Sequence, residues 1–306
     1  MKAMEPDLVG ARTPGDLLVV YSRVAEDTWD WLAGVKGAPP EIFGEKPDRK
    51  RGFIAHHNVL YWLLRRGYPF QTTFLDNPDP QRLAAAKVLI VPFPFSLKES
   101  EVKTLEEQAN AGKTVILMSE LSPADEMGQP LAQPRLARLF GGRSMNPRAE
   151  GVIEADLGQG KVLFLGGDFA VRLFAEMKPV KGPLAVVPLP VFDPTRAAQM
   201  EKLLASAMGR PVSLFAEQPG QDVEAALFEG PNGPMLLLIN WDFTQPAKVQ
   251  LRRPAENVAC MAWGYAIMRD ATVTPIQHTI AGDRWEVELA PQEARLLKIA
   301  NAPRPE

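Results

Sequence analysis

Apolar residues fall along the first two thirds of the chain in short continuous runs separated by helical patterns. Asp16–Ser22 (DLLVVYS), Lys87–Phe93 (KVLIVPF) and Lys113–Ser119 (KTVILMS) are runs of the kind that form strands buried on both faces. Between them, Ile54, Val59, Leu60, Leu63 and Leu64 recur at helical spacing and Gly67 follows as a stop. Pro69–Leu75 reads as a further strand and Asn77–Pro80 as a turn. Ser96 to Glu99 has the form of a capping box, after which Val102, Leu105 and Ala109 line one helix face and Gly112 ends it. Strand, helix, glycine, strand, repeated, is the pattern of βαβ units and a parallel sheet.

The pattern then changes. A short helix ends at Gly141-Gly142, and Gly151–Leu157 with Lys161–Gly166 flank Gly158-Gln159-Gly160 as a hairpin. Asp193-Pro194 opens a helix with Ala197, Met200, Leu203, Leu204 and Ala207 on its apolar face, and Gly209 closes it. From Pro211 onward no helical period survives. Val223–Phe228, Met235–Asn240, Ala247–Leu251, Trp285–Leu289 and Arg295–Ile299 read as short strands of a small sandwich. The expected division is a tail over 1–12, an α/β domain over 13–210, a β-sandwich domain over 211–300 and a tail over 301–306.

Composition adds mainly exclusions. The 306 residues are 46% hydrophobic and 23% charged, a globular mix, and the net charge of −3 argues against a nucleic-acid footprint. The basic run Lys46, Arg49, Lys50 and Arg51 is diluted by Glu45 and Asp48 and reads as a solvated loop. Cys260 is the single cysteine, so no intrachain disulfide forms, and it reads as a small buried hydrophobe. The first ten residues lack the apolar stretch of a signal peptide, and no apolar run approaches the ~20 residues of a membrane span. A soluble, cytoplasmic chain without membrane or nucleic-acid partners is expected.

Candidate chemistry is thin. Gly112-Lys113-Thr114 carries the tail of a phosphate loop, but Glu107 stands where its first glycine belongs, and the segment leaves a helix for a strand, the reverse of that motif. Gly158-Gln159-Gly160 lacks a third glycine and a following helix. His56 and His57 are adjacent, hence about 100° apart on a helix, and do not converge on one metal ion; with His278 they read as surface or satisfied polar groups. No metal or cofactor is expected. No Gly-x-Ser-x-Gly elbow occurs; Ser119 follows a buried strand, but Glu120-Leu121-Ser122-Pro123 does not begin a helix. Glu26, Asp27 and Asp30 beside Trp29 and Trp31 could engage a sugar, although solvated acids next to packing tryptophans are the favoured reading.

On the segments DLLVVYS, HHNVLYWLLRRGYPF and AKVLIVPFPFSLKESEVKTLEEQANAGKTVIL, residues from about Thr13 to Arg210 resemble the class I glutamine amidotransferase-like domain of family 42 β-galactosidases, the trimerisation domain. GQGKVLFLGGDF resembles the glycine-flanked strand near the end of that domain, and residues 223–300, with MLLLINW and LAPQEARLLKI, resemble the small β domain that follows it. The resemblance implies a flavodoxin-like scaffold for association and for shaping a neighbouring site. The amidotransferase cysteine has no counterpart, since Ser119 and its neighbours stand there. The galactosidase glutamates belong to a preceding (β/α)₈ barrel of ~250 residues, and about a dozen residues precede Thr13 here, so no catalytic residue carries over. The expected partners are a second copy of the chain or a glycoside hydrolase barrel, with Trp29, Trp31, Phe93 and Phe95 as anchors, each of which could equally be core. The alternative is a carbohydrate site at the carboxyl ends of the parallel strands, formed by the loops after Ser22, Phe93 and Ser119, with Glu26 or Glu120 as its acids.

Overall fold

The computed structural model describes residues 9–34, 50–181, 186–211, 213–217, 222–231, 233–252, 260–267, 273–280 and 284–301. Two larger sheets, each beside its own large apolar core, follow one another along the chain. The first sheet has six strands in the order β2-β1-β3-β4-β6-β5. They are β1 (Leu17–Tyr21), β2 (Gln71–Phe74), β3 (Val88–Val91), β4 (Thr114–Met118), β5 (Val152–Leu157) and β6 (Gly160–Leu165). Every pairing is parallel except β5 with β6, the expected hairpin, in which Leu157 faces Gly160. The fold is α/β with a mainly parallel sheet, followed by an antiparallel β region.

The central strands Leu17–Val20, Val88–Val91 and Val115–Met118 are buried on both faces, as their continuous apolar runs require. Helices α1 (Arg23–Gly34), α2 (Arg51–Arg65), α3 (Pro80–Ala85), α4 (Glu99–Asn110) and α5 (Pro194–Met208) accompany them. Helix α2 starts three residues earlier than its periodicity suggested and turns Ala55, Val59, Trp62 and Leu63 inward, leaving Ile54, Leu60 and Leu64 half-buried. It closes through Gly67, whose φ of +62° lets Tyr68 N–H reach Leu63 O at 2.9 Å and Gly67 N–H reach Leu64 O at 3.1 Å.

Three expectations need correction, and two elements were not expected. The capping box lies two residues further on: Lys98 is the N-cap, and Glu101 accepts its backbone N–H at 2.7 Å. Ser96 instead donates to Val24 O at 3.3 Å, because the Ser96–Leu97 stretch is drawn into the core. Arg51, read as part of a solvated loop, begins α2; Lys46 and Arg49 lie outside the described residues. Helix α1 and the hairpin of β7 (Phe174–Lys181) and β8 (Val186–Phe192) had no sequence expectation. Asp79 does more than make a turn: it caps α3, accepting from Gln81 and Arg82 N–H.

The second region holds β9 (Val223–Gly230), β10 (Gly233–Asn240), β11 (Ala247–Arg252), β12 (Cys260–Ile267), β13 (Val273–Ile280), β14 (Arg284–Leu289) and β15 (Ala294–Asn301). A five-stranded sheet, β13-β12-β15-β10-β9, faces the β11-β14 pair across a core containing Val223, Leu236, Leu238, Val249, Trp285, Val287 and Leu297. The side chains of Cys260 and His278 lie outside the described set. Where the cores meet, Leu214 N–H donates to Gly67 O at 2.7 Å, and Arg65 lies 3.5 Å from Glu224 and 3.7 Å from Asp222. A Cβ on Gly67 would meet the Phe215 ring at 3.0 Å, so this seam requires a glycine twice over, for its dihedral and for its space.

Candidate functional site

Parallel strands end on one side, and open sheets of this kind bind ligands at those ends, beside the point where the strand order reverses. Here β1 passes to β2 on one side and β3 on the other, which places the switch between the tips of β1 and β3. That crevice is filled. Trp29 from α1 meets Phe93 at 5.4 Å and Phe95 at 4.8 Å between ring centroids, both edge-on, and none of the three rings is exposed. Phe93 and Phe95 can enter because the chain after β3 turns inward at Pro92 and Pro94. These three aromatics, expected as surface anchors, are core. Trp31, two residues along α1, faces outward at 60% exposure.

Around the plug runs a chain of charges. Helix α2 begins with Arg51, whose guanidinium lies 5.5 Å from the Trp29 ring centroid and forms an ion pair with Asp168. Arg148 Nη1 reaches the same Asp168 Oδ1 at 2.9 Å and Glu120 Oε1 at 3.3 Å, while Arg51 stands 4.0 Å from Glu120. Glu120 is 2% exposed. Burial pushes its carboxyl up, and the Arg148 and Arg51 charges pull it back. Beside β1, His56 Nδ1 lies 3.0 Å from Glu26 Oε1 and 3.1 Å from Gly52 O, and its ring stacks on Tyr21 at 3.7 Å. Burial, then the Glu26 charge, pushes the Tyr21 phenol up to about 12.

Ser119 and Ser122, after β4, have φ of 69° and 57°, uncommon for residues with a Cβ and found where a nucleophile elbow would sit. Their hydroxyls are occupied by structural work. Ser119 Oγ accepts Ala170 N–H at 3.3 Å, and Ser122 Oγ accepts Leu97 N–H at 2.9 Å. Both serines are fully buried. The turns thus lock β4 to the segments after β6 and β3. Glu26 and His56 lie close at a strand tip, but Glu26 Oε1 and His56 Nε2 are both buried without a hydrogen-bond partner among the described residues, and the ring is 1% exposed.

Of the residues singled out from sequence, Trp29, Phe93, Phe95, Ser119 and Glu120 converge on the strand tips, whereas Trp31 lies apart at the surface. The sequence reading missed Arg51, Arg148 and Asp168 as members of this cluster, and Glu26 with His56 as a pair. Spacing carries no sign of them, since Arg51 and Asp168 are 117 residues apart.

The described chain therefore combines a mainly parallel α/β sheet with an antiparallel β sandwich. No family model matches it, and neither does any curated protein. Solved structures do. A GH42 β-galactosidase from G. stearothermophilus aligns with a TM-score of 0.59 at 14% identity, over 94% of this chain and 40% of its own. The likeness in fold recurs with the β-galactosidases of Bacillus circulans sp. alkalophilus (TM-score 0.55, 12% identity, 94% of this chain and 42% of that one) and Rahnella sp. R3 (0.55, 12%, 95% and 42%). At such identity the likeness is one of fold. The chain spans about two fifths of the length of these enzymes. Among the described residues, no helix is long and apolar enough to cross a membrane.

Proposed function

We propose that this chain is a non-catalytic association module related to the part of a GH42-type glycoside hydrolase that it matches, with an α/β domain over 13–210 and a β-sandwich domain over 211–300. The observation that carries this reading is the filled crevice: Trp29, Phe93 and Phe95 occupy the place where a sheet of this order holds a ligand. The contact surface centres on Trp31. The loop bearing Met127, 71% exposed, packs onto the same helix, where Thr28 Oγ1 donates to Glu126 O at 3.3 Å. Exposed aromatic and methionine side chains are enriched at interfaces. The partner is a second copy of the chain or a glycoside hydrolase barrel. Light scattering after size exclusion at several concentrations tests self-association: the expected mass exceeds that of one chain and falls in Trp31→Ser, whereas a strict monomer at high concentration contradicts it.

The second reading is a carbohydrate-active or carbohydrate-binding site at the strand tips. The approach of Glu26 Oε1 to His56 Nδ1 at 3.0 Å favours it, because a carboxylate beside an imidazole is an arrangement suited to proton transfer once a ligand's arrival opens the site. Glycan-array binding that disappears in Glu26→Gln supports this reading, and its absence removes it.

A further inference from the structure

A cavity of about 260 Å³ opens at the seam between the two cores. From the first core come Arg66 and Tyr68, just after α2, and Glu201 of α5; Ser213, Phe215 and Arg252 come from the second side. Its polar groups are unevenly paired. Arg66 Nη1 lies 3.1 Å from Glu201, but Arg66 Nε is buried with no hydrogen-bond partner among the described residues. Arg252 has no ion pair among the described residues, and its Nη2 reaches Ala216 O only at 3.4 Å. Tyr68 is 5% exposed, and its hydroxyl, on the cavity wall, has no hydrogen-bond partner among the described residues. Ser213, by contrast, is satisfied, donating to Arg66 O and accepting from Phe215 N–H at 3.2 Å.

We infer that this seam cavity binds a small monocarboxylate of monosaccharide size, such as a sugar acid. Buried polar groups in native structures have partners, so the buried Tyr68 phenol, without one among the described residues and sharing the cavity with the Arg252 guanidinium, calls for an acceptor. A carboxylate supplies two acceptor oxygens, enough for the Arg252 guanidinium and the Tyr68 hydroxyl together. Burial holds the phenol well above its ordinary value, which keeps it a neutral donor. One charge on the ligand is the right number. Glu201 already answers Arg66, and the second carboxylate of the lining, Glu217, lies 3.4 Å from Arg284, which leaves Arg252 as the lining charge without an ion pair among the described residues; a dianion would face both carboxylates across the cavity. The apolar walls of Phe215, Pro211 and Ala205 suit the flat face of a sugar ring. The volume lies below the ~300–1,000 Å³ usual for drug-sized ligands, which restricts the occupant to a small molecule. This site is independent of the association reading.

The test is calorimetric titration of the full chain with galacturonate, galactose and inorganic phosphate. Galacturonate saturates one site per chain, and galactose and phosphate bind at least about tenfold more weakly, as expected where a charged pair is lost or a second charge is repelled. Arg252→Gln weakens galacturonate by about tenfold or more, with its circular dichroism unchanged. Tyr68→Phe, which removes only the hydroxyl, weakens it by about threefold and keeps the test open should the arginine variant fail to fold. Absence of saturable galacturonate binding overturns the inference. So does equal binding of galactose, tighter binding of phosphate, or galacturonate affinity unchanged in the folded variants.

Discussion

The Ser22 hydroxyl donates to Glu101 Oε1 at 2.9 Å, tying the tip of β1 to the first turn of α4 across 79 residues. The other oxygen of Glu101 accepts Lys98 N–H. One buried carboxylate thus caps a helix and clamps it beside the aromatic plug. Burial raises its carboxyl above the ordinary 4.5, even though both hydrogen bonds pull it down. A raised carboxyl stabilises the folded state below the unfolded value, and that contribution is lost as pH climbs through the folded value. Glu101→Gln mimics the protonated form. The melting-temperature advantage of wild type over Glu101→Gln is therefore expected to shrink as pH rises above the ordinary glutamate value of 4.5. A gap that does not change with pH would contradict the assignment.

The two neighbouring tryptophans of α1 separate core from surface. Trp29→Ala removes a fully buried ring wedged between Phe93 and Phe95 and is expected to cost about 3–5 kcal/mol. Trp31→Ala should change the stability of the isolated chain by about 0.5 kcal/mol or less. Urea unfolding of the two variants checks both values, and equal losses would mean that the plug is misassigned.

Arg51 and Asp168 pair at the strand tips with side chains 16% and 15% exposed, so their coupling should exceed that of a surface pair. A double-mutant cycle with Arg51→Gln and Asp168→Asn is expected to return an interaction of about 1–3 kcal/mol. Coupling near zero would reduce the cluster to separate surface charges.

Much of the fold was legible because its signals are local. The apolar runs of β1, β3 and β4 need no partner to be recognised, and Asp193-Pro194 announces α5, where Asp193 accepts Arg196 N–H at 2.8 Å. Helix α1 carried its signal in Ala25, Thr28, Trp29 and Leu32 at helical spacing, but Glu26, Asp27 and Asp30 beside two tryptophans read as a candidate sugar-binding cluster instead. The β7–β8 hairpin was hidden by Pro179, Pro188 and Pro190, which read as breakers. The site was less legible still. Phe93 and Phe95 in a proline-punctuated turn look like surface aromatics until the sheet supplies the crevice that they fill. Arg51, Arg148 and Asp168 meet only when α2, the loop before β5 and the turn after β6 are folded together.

The account turns on whether the strand tips, closed by aromatic rings and internally paired charges, perform chemistry. Hydrolysis of a panel of nitrophenyl glycosides by the purified chain measures this directly. The expected result is release no faster than in buffer, with wild type, Glu26→Gln and Glu120→Gln indistinguishable. Turnover by wild type that vanishes in either glutamate variant would show that the tips are an active site.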